Sequence, residues 1–547
     1  MTLSPPRAGH GDALPWWQLG VIYQIYPRSF LDSDGDGVGD LPGITRRLPY
    51  LAWLGVDAVW LSPIYSSPMI DFGYDVSDHT AIDPMFGTLA DFDTMISEAR
   101  RIGVRVLLDY IPNHTSVEHA WFTNARESRR SVRREWYLWH DSAPDGGPPN
   151  NWRSVFGGSA WTLDPPTGHY YYHAYLPEQP DLNWRHQPVR DAMLDVLRFW
   201  LDRGVDGFRV DGLRHLLKDH RWRDNPPDRN FRAGMPPYDE LLPVHTTDLD
   251  EVHEPIAAMR RVVNEHTHRH GERILIGELY VPIERLVRYY GTDRSGLQMP
   301  ANMHLIATEW QPEAIAALIE RYQFLLPDGA WPNWVLGNHD RSRIATRVGA
   351  AQARVAAMLL LTLRGTPTLY YGDELGMTDA TLRPDEIRDP YARRVPGLRL
   401  GRDPERTPMQ WDSDTHAGFC PPDAQPWLPV AGNHRTVNVA SERADRFSVL
   451  TLHRRLLHTR RRSDALIRGA YTTLRASKGV LAYLRETPRQ RLIVALNLTS
   501  APRSMRCSGR VRLSTHLDRD DQRIGGELRL RPNEGIVLEI SGRARSR

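Results

Sequence analysis

The sequence alternates short apolar segments with longer amphipathic ones over most of its length, and this alternation limits the possible folds more than any other feature. Short apolar runs between turn residues predict buried strands, whereas apolar residues three or four positions apart predict helices. We place strands at residues 21–26, 56–61, 104–109, 205–211, 273–278, 298–305, 334–340 and 366–371. Strands that alternate with helices form parallel βαβ units, and eight such units predict an α/β fold of the (β/α)8 type, a TIM barrel.

The helices between these strands carry recognisable signals. We predict helices at residues 189–201, 252–268 and 350–363, and one more that begins with a capping-box pattern at Thr88 and Asp91. An open, doubly wound sheet is the alternative fold for such a chain. That fold places a glycine-rich phosphate loop after its first strand, and none follows residues 21–26. The sequence therefore favours the barrel.

Four of the predicted strands end on or beside an acidic residue, namely Asp109, Asp211, Glu278 and Asp340. The C-terminal ends of barrel strands converge at one mouth, where polar residues serve catalysis. A pair of carboxylates is what glycoside hydrolysis requires, since one attacks the anomeric carbon and the other protonates the leaving oxygen. His114 follows the third strand and His339 lies at the end of the seventh, and each would add a hydrogen-bond donor at this mouth.

The environment of each carboxylate suggests a role. Arg209 precedes Asp211 by two residues, so both side chains lie on one face of the strand, and the guanidinium favours the ionised carboxylate that a nucleophile needs. A buried structural ion pair is the alternative interpretation of these two residues alone. The apolar residues 274–276 would raise the pKa of Glu278 and keep it protonated for general-acid work. Asp340 would bind sugar hydroxyls and stabilise an oxocarbenium-like transition state.

An acidic loop follows the first strand, with the sequence DSDGDGVGD at residues 32–40. Its spacing is similar to the start of a calcium loop, but Gly43 stands where an EF-hand has its bidentate glutamate, which excludes an EF-hand. Four carboxylates this close repel one another without a cation, although a solvated acidic turn remains the alternative. We predict a structural Ca²⁺ or Mg²⁺ site formed by Asp32, Asp34, Asp36, Asp40 and the carbonyl oxygen of Val38.

The alternation is interrupted twice. Residues 115–186 are rich in Trp, Pro, Gly and Tyr and predict a loop-rich insertion after the third strand. After a helix containing Phe447, Leu450, Leu456 and Leu457, short strands at residues 480–484, 491–496, 527–530 and 535–540 are separated by turns. This second change predicts a C-terminal antiparallel β domain.

Composition excludes several classes of protein. The net charge of +2 gives no electrostatic field for nucleic acid, and no apolar run reaches the ~18 residues of a membrane span. The two cysteines, Cys420 and Cys507, provide neither a disulfide framework nor a zinc spacing. No apolar signal segment occurs in residues 1–20. We therefore expect a cytoplasmic protein with no nucleic-acid or membrane partner, as a monomer or a homodimer.

Four short blocks resemble those of a known family. Residues 109–114 (DYIPNH), residues 207–211 (GFRVD), Glu278 after ILIG, and residues 338–340 (NHD) resemble the four sequence blocks of the α-amylase superfamily, glycoside hydrolase family 13. Within that family, the oligo-1,6-glucosidase and α-glucosidase group is similar to this chain at residues 179–183 (QPDLN), 32–40 and 406–411 (RTPMQW).

This resemblance implies a role for each candidate residue. Asp211 would be the nucleophile, Glu278 the acid/base and Asp340 the transition-state stabiliser. Asp71 and Arg406 would grip the terminal glucose at the floor of an exo-acting pocket, since a charged pair can bind adjacent hydroxyls. The remaining residues implied around that sugar are Tyr74, His114, Phe156, Arg209 and His339. The implied domains are residues 1–111 and 185–466 for the barrel, 112–184 for an inserted domain B and 467–547 for the C-terminal domain.

The expected activity is that of an exo-acting retaining α-glucosidase on short, maltose-like α-glucosides, with some transglucosylation. Relatives that prefer α-1,6 bonds typically carry Val after the nucleophile, whereas this chain has Gly212, which predicts open space there and an α-1,4 preference. An α-glucosyltransferase, a trehalose synthase-like enzyme and an oligo-1,6-glucosidase are the alternatives with the same catalytic residues. Heavy subunits of amino-acid transporters also resemble the family, but they carry a transmembrane helix and often lack the acids.

Overall fold

Eight parallel strands close into a barrel in the computed structural model, which describes residues 14–398 and 400–540. They are β1 (Ile22–Ile25), β2 (Ala58–Leu61), β3 (Arg105–Tyr110), β4 (Gly207–Val210), β5 (Ile274–Leu279), β6 (Met299–Asn302), β7 (Asn333–Val335) and β8 (Thr366–Tyr370). β1 pairs with both β2 and β8, which closes the ring. The predicted (β/α)8 barrel is confirmed.

Two of the predicted strands are too long. β6 ends at Asn302 and the helix His304–Ala307 follows at once, so the apolar residues up to position 305 belong partly to a helix. β7 ends at Val335, five residues before Asp340, because the chain turns there: the Asp340 backbone N–H donates to Asn338 Oδ1 at 3.0 Å. An apolar run indicates that a strand is present, but it does not indicate at which residue the strand leaves the sheet.

Helices cover the barrel, and all but two of the main ones, Leu41–Leu54 and Pro312–Leu325, were predicted. The main ones are Leu41–Leu54, Leu89–Ile102, Gln187–Asp202, His253–His270, Pro312–Leu325, Ala350–Thr362 and Val449–Arg461. The capping box at Thr88 and Asp91 is present, and that helix ends at Gly103 in the left-handed conformation with φ 79°. Phe447 lies outside the last of these helices and is exposed, because Ser448 caps the first turn instead.

The insertion after β3 has a small core of its own. Three short antiparallel strands, Trp139–His140, Trp161–Asp164 and His169–Tyr172, form a sheet. Trp152 packs against Trp161 and Tyr172 of this sheet, and all three side chains are almost fully buried. An ion pair from Lys218 to Asp181 ties the insertion to the loop after β4, with both side chains buried. The insertion is therefore held against the C-terminal mouth of the barrel.

The C-terminal domain is a six-stranded antiparallel sheet. Its strands are Ala470–Leu474, Val480–Glu486, Arg491–Asn497, Arg503–Ser514, Arg523–Leu530 and Gly535–Glu539. The sequence predicted four of them; it missed the edge strand at 470 and the long strand from 503, whose polar and charged residues form no apolar run. The exact domain boundaries stay predictions.

No helix in the described part of the chain combines the length and apolarity that a bilayer crossing requires. The expectation that no signal segment begins the chain concerns mostly residues 1–13, which lie outside the described residues.

Candidate active site

Arg209 joins three carboxylates at the barrel mouth. Its Nη1 atom donates to Asp109 Oδ1 at 2.9 Å and to Asp211 Oδ1 at 2.5 Å, and its Nη2 atom lies 2.8 Å from Glu278 Oε1. The strand register produces this cluster, because Arg209 pairs with Asp109 across β3 and β4 and with Ile276 across β4 and β5. The arginine is 2% exposed, so water screens these charges weakly.

The three carboxyl groups have altered proton affinities. Burial raises the pKa of Asp211 and of Glu278 to about 7, although Arg209 acts in the opposite direction. Burial likewise raises the pKa of Asp109 to about 6. Neighbouring carboxyl groups of this kind lose their protons as a set rather than independently. A pair of carboxyl groups with raised pKa values can keep one proton near neutral pH, which is what a nucleophile and a general acid require between them.

Asp340 has a different electrostatic environment. Burial acts to raise its pKa, but the guanidinium groups of Arg402 and Arg406 lower that pKa below its ordinary value. Arg406 Nη2 donates to Asp340 Oδ1 at 2.9 Å, and Arg402 Nη1 donates to the same oxygen at 3.4 Å. Asp340 is therefore a permanent anion at this mouth, suited to stabilise positive charge and unsuited to act as an acid.

His339 and Tyr74 lie beside the carboxylates. The Tyr74 hydroxyl donates to Asp109 Oδ2 at 2.9 Å and lies 2.7 Å from His339 Nε2, and the two rings stack with centroids 5.4 Å apart. Gln24 Nε2 lies 2.7 Å from His339 Nδ1 on the other side of the imidazole. Burial lowers the pKa of His339 well below its ordinary value, so the ring is neutral.

The partner of Asp71 is not the arginine that the sequence predicted. Asp71 Oδ1 accepts from Arg402 Nη2 at 2.7 Å, whereas Arg406 contacts Asp340 and donates from Nε to the His339 carbonyl at 2.7 Å. Arg402 also holds Asp389, with Nη2–Oδ1 at 2.7 Å. The predicted Asp71–Arg406 pair does not form, because Arg402, three residues of turn before Arg406, takes the place beside Asp71, while Arg406 is held by Asp340 and the His339 carbonyl.

Gln179 is a second residue that sequence reasoning did not assign to the site. Its Nε2 atom donates to Asp71 Oδ2 at 3.2 Å and lies 3.2 Å from His114 Nε2. His114 Nε2 is also 3.0 Å from the Tyr74 carbonyl, and burial lowers the pKa of His114 to about 4. The sequence contained a signal for this residue, because Gln179 is the first residue of the QPDLN block that resembles the α-glucosidase group.

Phe156 lies at the side of the same pocket. The Arg402 guanidinium sits over its ring at 4.9 Å, and the Tyr391 ring stacks on it at 5.0 Å. The backbone carbonyl of Phe156 accepts from Arg394 Nε at 3.3 Å. The insertion thus supplies an apolar wall directly beside the Asp71–Arg402 pair.

Gly212 does not leave the open space that the sequence predicted. Its φ of 56° and ψ of 20° are left-handed, a conformation that strains a β-branched residue. A Cβ atom built on it would lie 3.1 Å from the Tyr175 hydroxyl and 3.5 Å from Asn113 Cβ. Because the space is already filled, the absence of a side chain at Gly212 by itself says nothing about linkage preference.

The acidic loop gathers three of the four predicted carboxylates. Oxygens of Asp32, Asp34 and Asp40 lie within 4.8 Å of one another, whereas Asp36 is not part of this group and accepts the Val38 backbone N–H at 2.7 Å. Burial raises the pKa of Asp40, as expected for carboxylates packed together. An all-oxygen donor set of this kind fits a hard cation such as Ca²⁺ or Mg²⁺.

A (β/α)8 barrel with paired carboxylates at its mouth, one of them able to hold a proton at neutral pH, defines the class of glycoside hydrolases. The chain belongs to the α-amylase family, since residues 24–469 match the family described as alpha amylase, catalytic domain.

Individual relatives are similar over nearly the whole chain. A probable alpha-glucosidase from Rhizobium meliloti is 40% identical over 498 residues, which cover 88% of this chain and 89% of the relative. Maltase 1 of Drosophila virilis is 37% identical over 97% of this chain and 88% of its own length. The solved structure of an alpha-glucosyl transfer enzyme, XgtA, superposes with a TM-score of 0.90 at 38% identity, over 96% of this chain and 100% of that one.

Proposed function

We propose that the protein is an exo-acting, retaining α-glucosidase that releases glucose from short, maltose-like α-glucosides and also transfers glucose to sugar acceptors. The observation that carries this proposal is the single guanidinium of Arg209, which contacts Asp211 and Glu278 together. Because one guanidinium contacts both carboxyl groups, the two groups lie close enough for the two-step mechanism with a covalent intermediate.

The reaction assigned to this geometry has two steps. In the first, the Asp211 carboxylate attacks the anomeric carbon while Glu278 donates its proton to the departing oxygen. In the second, Glu278 takes a proton from water or from a sugar hydroxyl, whose oxygen bonds to the anomeric carbon as the bond to Asp211 breaks. The anionic Asp340 stabilises the positive charge that develops on the ring.

The pocket supports an exo action. The Asp71–Arg402 pair is almost fully buried, with side chains 5% and 10% exposed, and would close the far end of the glucose site. Gln179, His114 and Tyr74 line the same side, where they would bind hydroxyls of the terminal sugar. A chain end fits such a closed site, whereas the interior of a polysaccharide does not.

Product analysis tests the proposal directly. With p-nitrophenyl α-glucoside and with maltose, proton NMR of the first turnovers should show α-glucose, as expected for retention. β-Glucose as the first product would refute the mechanism, and an enzyme that releases no glucose from any of maltose, isomaltose, sucrose and nigerose would refute the function. The similarity to a maltase supports a rate on maltose above that on isomaltose.

A glucosyl-transfer activity is the second candidate, favoured by the close similarity to an alpha-glucosyl transfer enzyme. Transfer uses the same residues and differs only in whether water or a sugar accepts the glucosyl group. Chromatography of maltose reactions separates the cases. Glucose alone indicates hydrolysis, trehalose indicates rearrangement, and longer sugars indicate transfer. Faster cleavage of isomaltose than of maltose would indicate an oligo-1,6-glucosidase instead.

We further propose that Asp32, Asp34 and Asp40 hold a structural Ca²⁺ or Mg²⁺ remote from the chemistry, with Asp36 and the Val38 carbonyl as the remaining predicted ligands. When bound, the ion would neutralise the loop carboxylates and take no part in either reaction step. We also propose a cytoplasmic location and a monomeric or homodimeric state.

A further inference from the structure

Gly212 lies between the two catalytic candidates and a tyrosine from the insertion. It follows Asp211 in the chain, and its backbone N–H donates to Glu278 Oε2 at 3.4 Å. The Tyr175 hydroxyl lies 3.1 Å from the position that a Cβ atom on this glycine would take. The tyrosine hydroxyl therefore occupies the place where a side chain following the nucleophile would project.

Several contacts hold Tyr175 in this position. Its carbonyl accepts from Ser154 Oγ at 2.5 Å and lies 2.9 Å from His173 Nδ1, which anchors the backbone. Its ring packs edge-on against His114 at 5.3 Å and Phe156 at 5.8 Å, both predicted to line the glucose site. A ring held by so many contacts presents its hydroxyl at a defined point rather than sampling many rotamers.

The hydroxyl itself is an unused donor. No described residue accepts a hydrogen bond from it, and Tyr175 is only half-buried, so the hydroxyl is free to donate to a bound sugar. Burial raises the pKa of Tyr175 well above its ordinary value, and the Asp211 and Glu278 carboxylates act in the same direction. The group therefore stays protonated at any pH at which the enzyme works, and it faces the cleft beside the acid/base.

We infer that the Tyr175 hydroxyl donates a hydrogen bond to the sugar on the leaving-group side of Glu278, and thereby selects a sugar over water as the acceptor. This inference rests on the proposed function. In the transfer step the acceptor hydroxyl gives its proton to Glu278, its oxygen bonds to the anomeric carbon and the bond to Asp211 breaks. Tyr175 would hold a second hydroxyl of that acceptor, which water does not have.

The same geometry explains the glycine. A side chain at position 212 would displace the Tyr175 hydroxyl from its place, so the glycine and the tyrosine form one unit. The linkage preference of this chain would then depend on a hydroxyl that reaches over Gly212, and not on empty space at the glycine.

The first test removes only the hydroxyl. With maltose as donor and acceptor, Tyr175→Phe should lower the ratio of transfer to hydrolysis by about three- to tenfold, the loss expected for one neutral hydrogen bond. Tyr170→Phe is the matched control, because its hydroxyl donates to the Gly146 carbonyl at 3.2 Å within the same insertion. This control should leave the ratio unchanged. An unchanged ratio in Tyr175→Phe would overturn the inference.

A double-mutant cycle tests the glycine–tyrosine unit. Gly212→Ala should lower the ratio as much as Tyr175→Phe does, and it should add little in a Tyr175→Phe background, where the clashing oxygen is absent. Additive effects would contradict the inference. If Gly212→Ala fails to fold, the Tyr175→Phe result decides alone. A wild-type enzyme without α-glucosidase activity would refute the proposed function, whereas an active enzyme with an insensitive ratio refutes only this inference.

Discussion

Arg209 shows how much of this site depends on the chemistry of single side chains. Its planar guanidinium presents donors in several directions, so one residue contacts Asp109, Asp211 and Glu278 at once. A lysine ammonium is a compact charge and would not span the three carboxylates in the same geometry. The site therefore depends on the shape of this cation as well as on its charge.

The pH dependence of activity follows from the Asp211–Glu278 pair. The proposed mechanism needs Asp211 ionised and Glu278 protonated, and burial raises the pKa of both to about 7. We expect a bell-shaped profile of kcat/KM with its maximum near neutrality, falling at lower pH as Asp211 gains a proton and at higher pH as Glu278 loses one. Rates on p-nitrophenyl α-glucoside between about pH 4.5 and 9 measure this.

The Glu278→Gln variant provides the control for this profile. Glutamine does not ionise, so the alkaline limb should disappear from the residual activity on an aryl glucoside, whose leaving group needs no protonation. An alkaline limb that persists in this variant would assign it to another group.

Arg402 is expected to matter for substrate binding. Arg402→Lys replaces the planar guanidinium that contacts both Asp71 and Asp389 with a single ammonium group. One of these two buried carboxylates is then poorly paired. We expect kcat/KM for maltose to fall by about 30-fold or more, mainly through KM. Arg393→Lys is the control, since that exposed side chain donates to the Ile387 carbonyl and to no other described residue. Wild-type kinetics in Arg402→Lys would show that the pair does not bind sugar.

At the scale of elements, two features stabilise the fold away from the chemistry. The acidic loop connects β1 to the helix Leu41–Leu54, and Asp40 caps that helix by accepting the Gly43 N–H at 2.6 Å. Further along the chain, Glu442 caps the start of the helix Val449–Arg461 by accepting the Leu450 N–H at 2.9 Å. Asp40 thus ties the acidic loop to its helix, whereas Glu442 ties the short helix Val439–Ala444 to the first turn of the next one.

Removal of one loop carboxylate tests the metal proposal. Asp34→Ala should lower Tm and weaken the stabilisation by added Ca²⁺, while turnover at mild temperature changes little. Asp385→Ala, at an exposed carboxylate that pairs with Arg383 on the surface, should leave both unchanged. A folded Asp34→Ala protein with a selective loss of turnover would contradict a purely structural role, and an unchanged response of Tm to Ca²⁺ would contradict the site.

Glu442 should make stability depend on pH. Burial raises its pKa to about 8, so the folded state keeps a proton that the unfolded chain releases above its ordinary, lower pKa. The stabilisation is complete at acid pH and is lost as the pH rises through about 8, on the order of 4 kcal/mol in all. Urea unfolding should show Glu442→Gln losing less stability than wild type between about pH 5 and 9. Parallel pH dependences would contradict this assignment.

At the scale of the whole molecule, the barrel and the C-terminal sheet share one core. Tyr483, Val494 and Val537 of the sheet belong to the same cluster of buried residues as the barrel helix Ala350–Thr362. Arg485 of the sheet donates to the carbonyl of Thr362 in that helix, where the guanidinium is fully buried. The two parts are therefore expected to unfold as one cooperative unit.

Two probes test this cooperativity. All 17 tryptophans lie at or before residue 427 and report on the barrel and its insertion, whereas Cys507 lies in the C-terminal strand Arg503–Ser514. In a Cys420→Ala variant, a fluorescent label on Cys507 should show the same urea midpoint as tryptophan emission. A separate, earlier transition of the label would show that the sheet unfolds independently.

The sequence alone determined the architecture and the positions of the candidate catalytic carboxylates at the strand ends. Apolar runs and helical periods depend on local burial, so they predicted the eight barrel strands, which the structure confirms with shorter ends at β6 and β7. Local patterns also placed Asp109, Asp211 and Glu278 at strand ends, because a strand of a parallel barrel can deliver polar residues only to its two rims.

Only the tertiary structure decided which side chains meet. The choice of Arg402 over Arg406 as the partner of Asp71, the contact of Gln179 with Asp71 and the filling of the space at Gly212 by Tyr175 all join residues far apart in the chain. Such pairings depend on how loops without a regular period cross the barrel mouth. A pattern of residue types indicates whether each position is buried. It gives no distance between two positions that only the folded chain brings together.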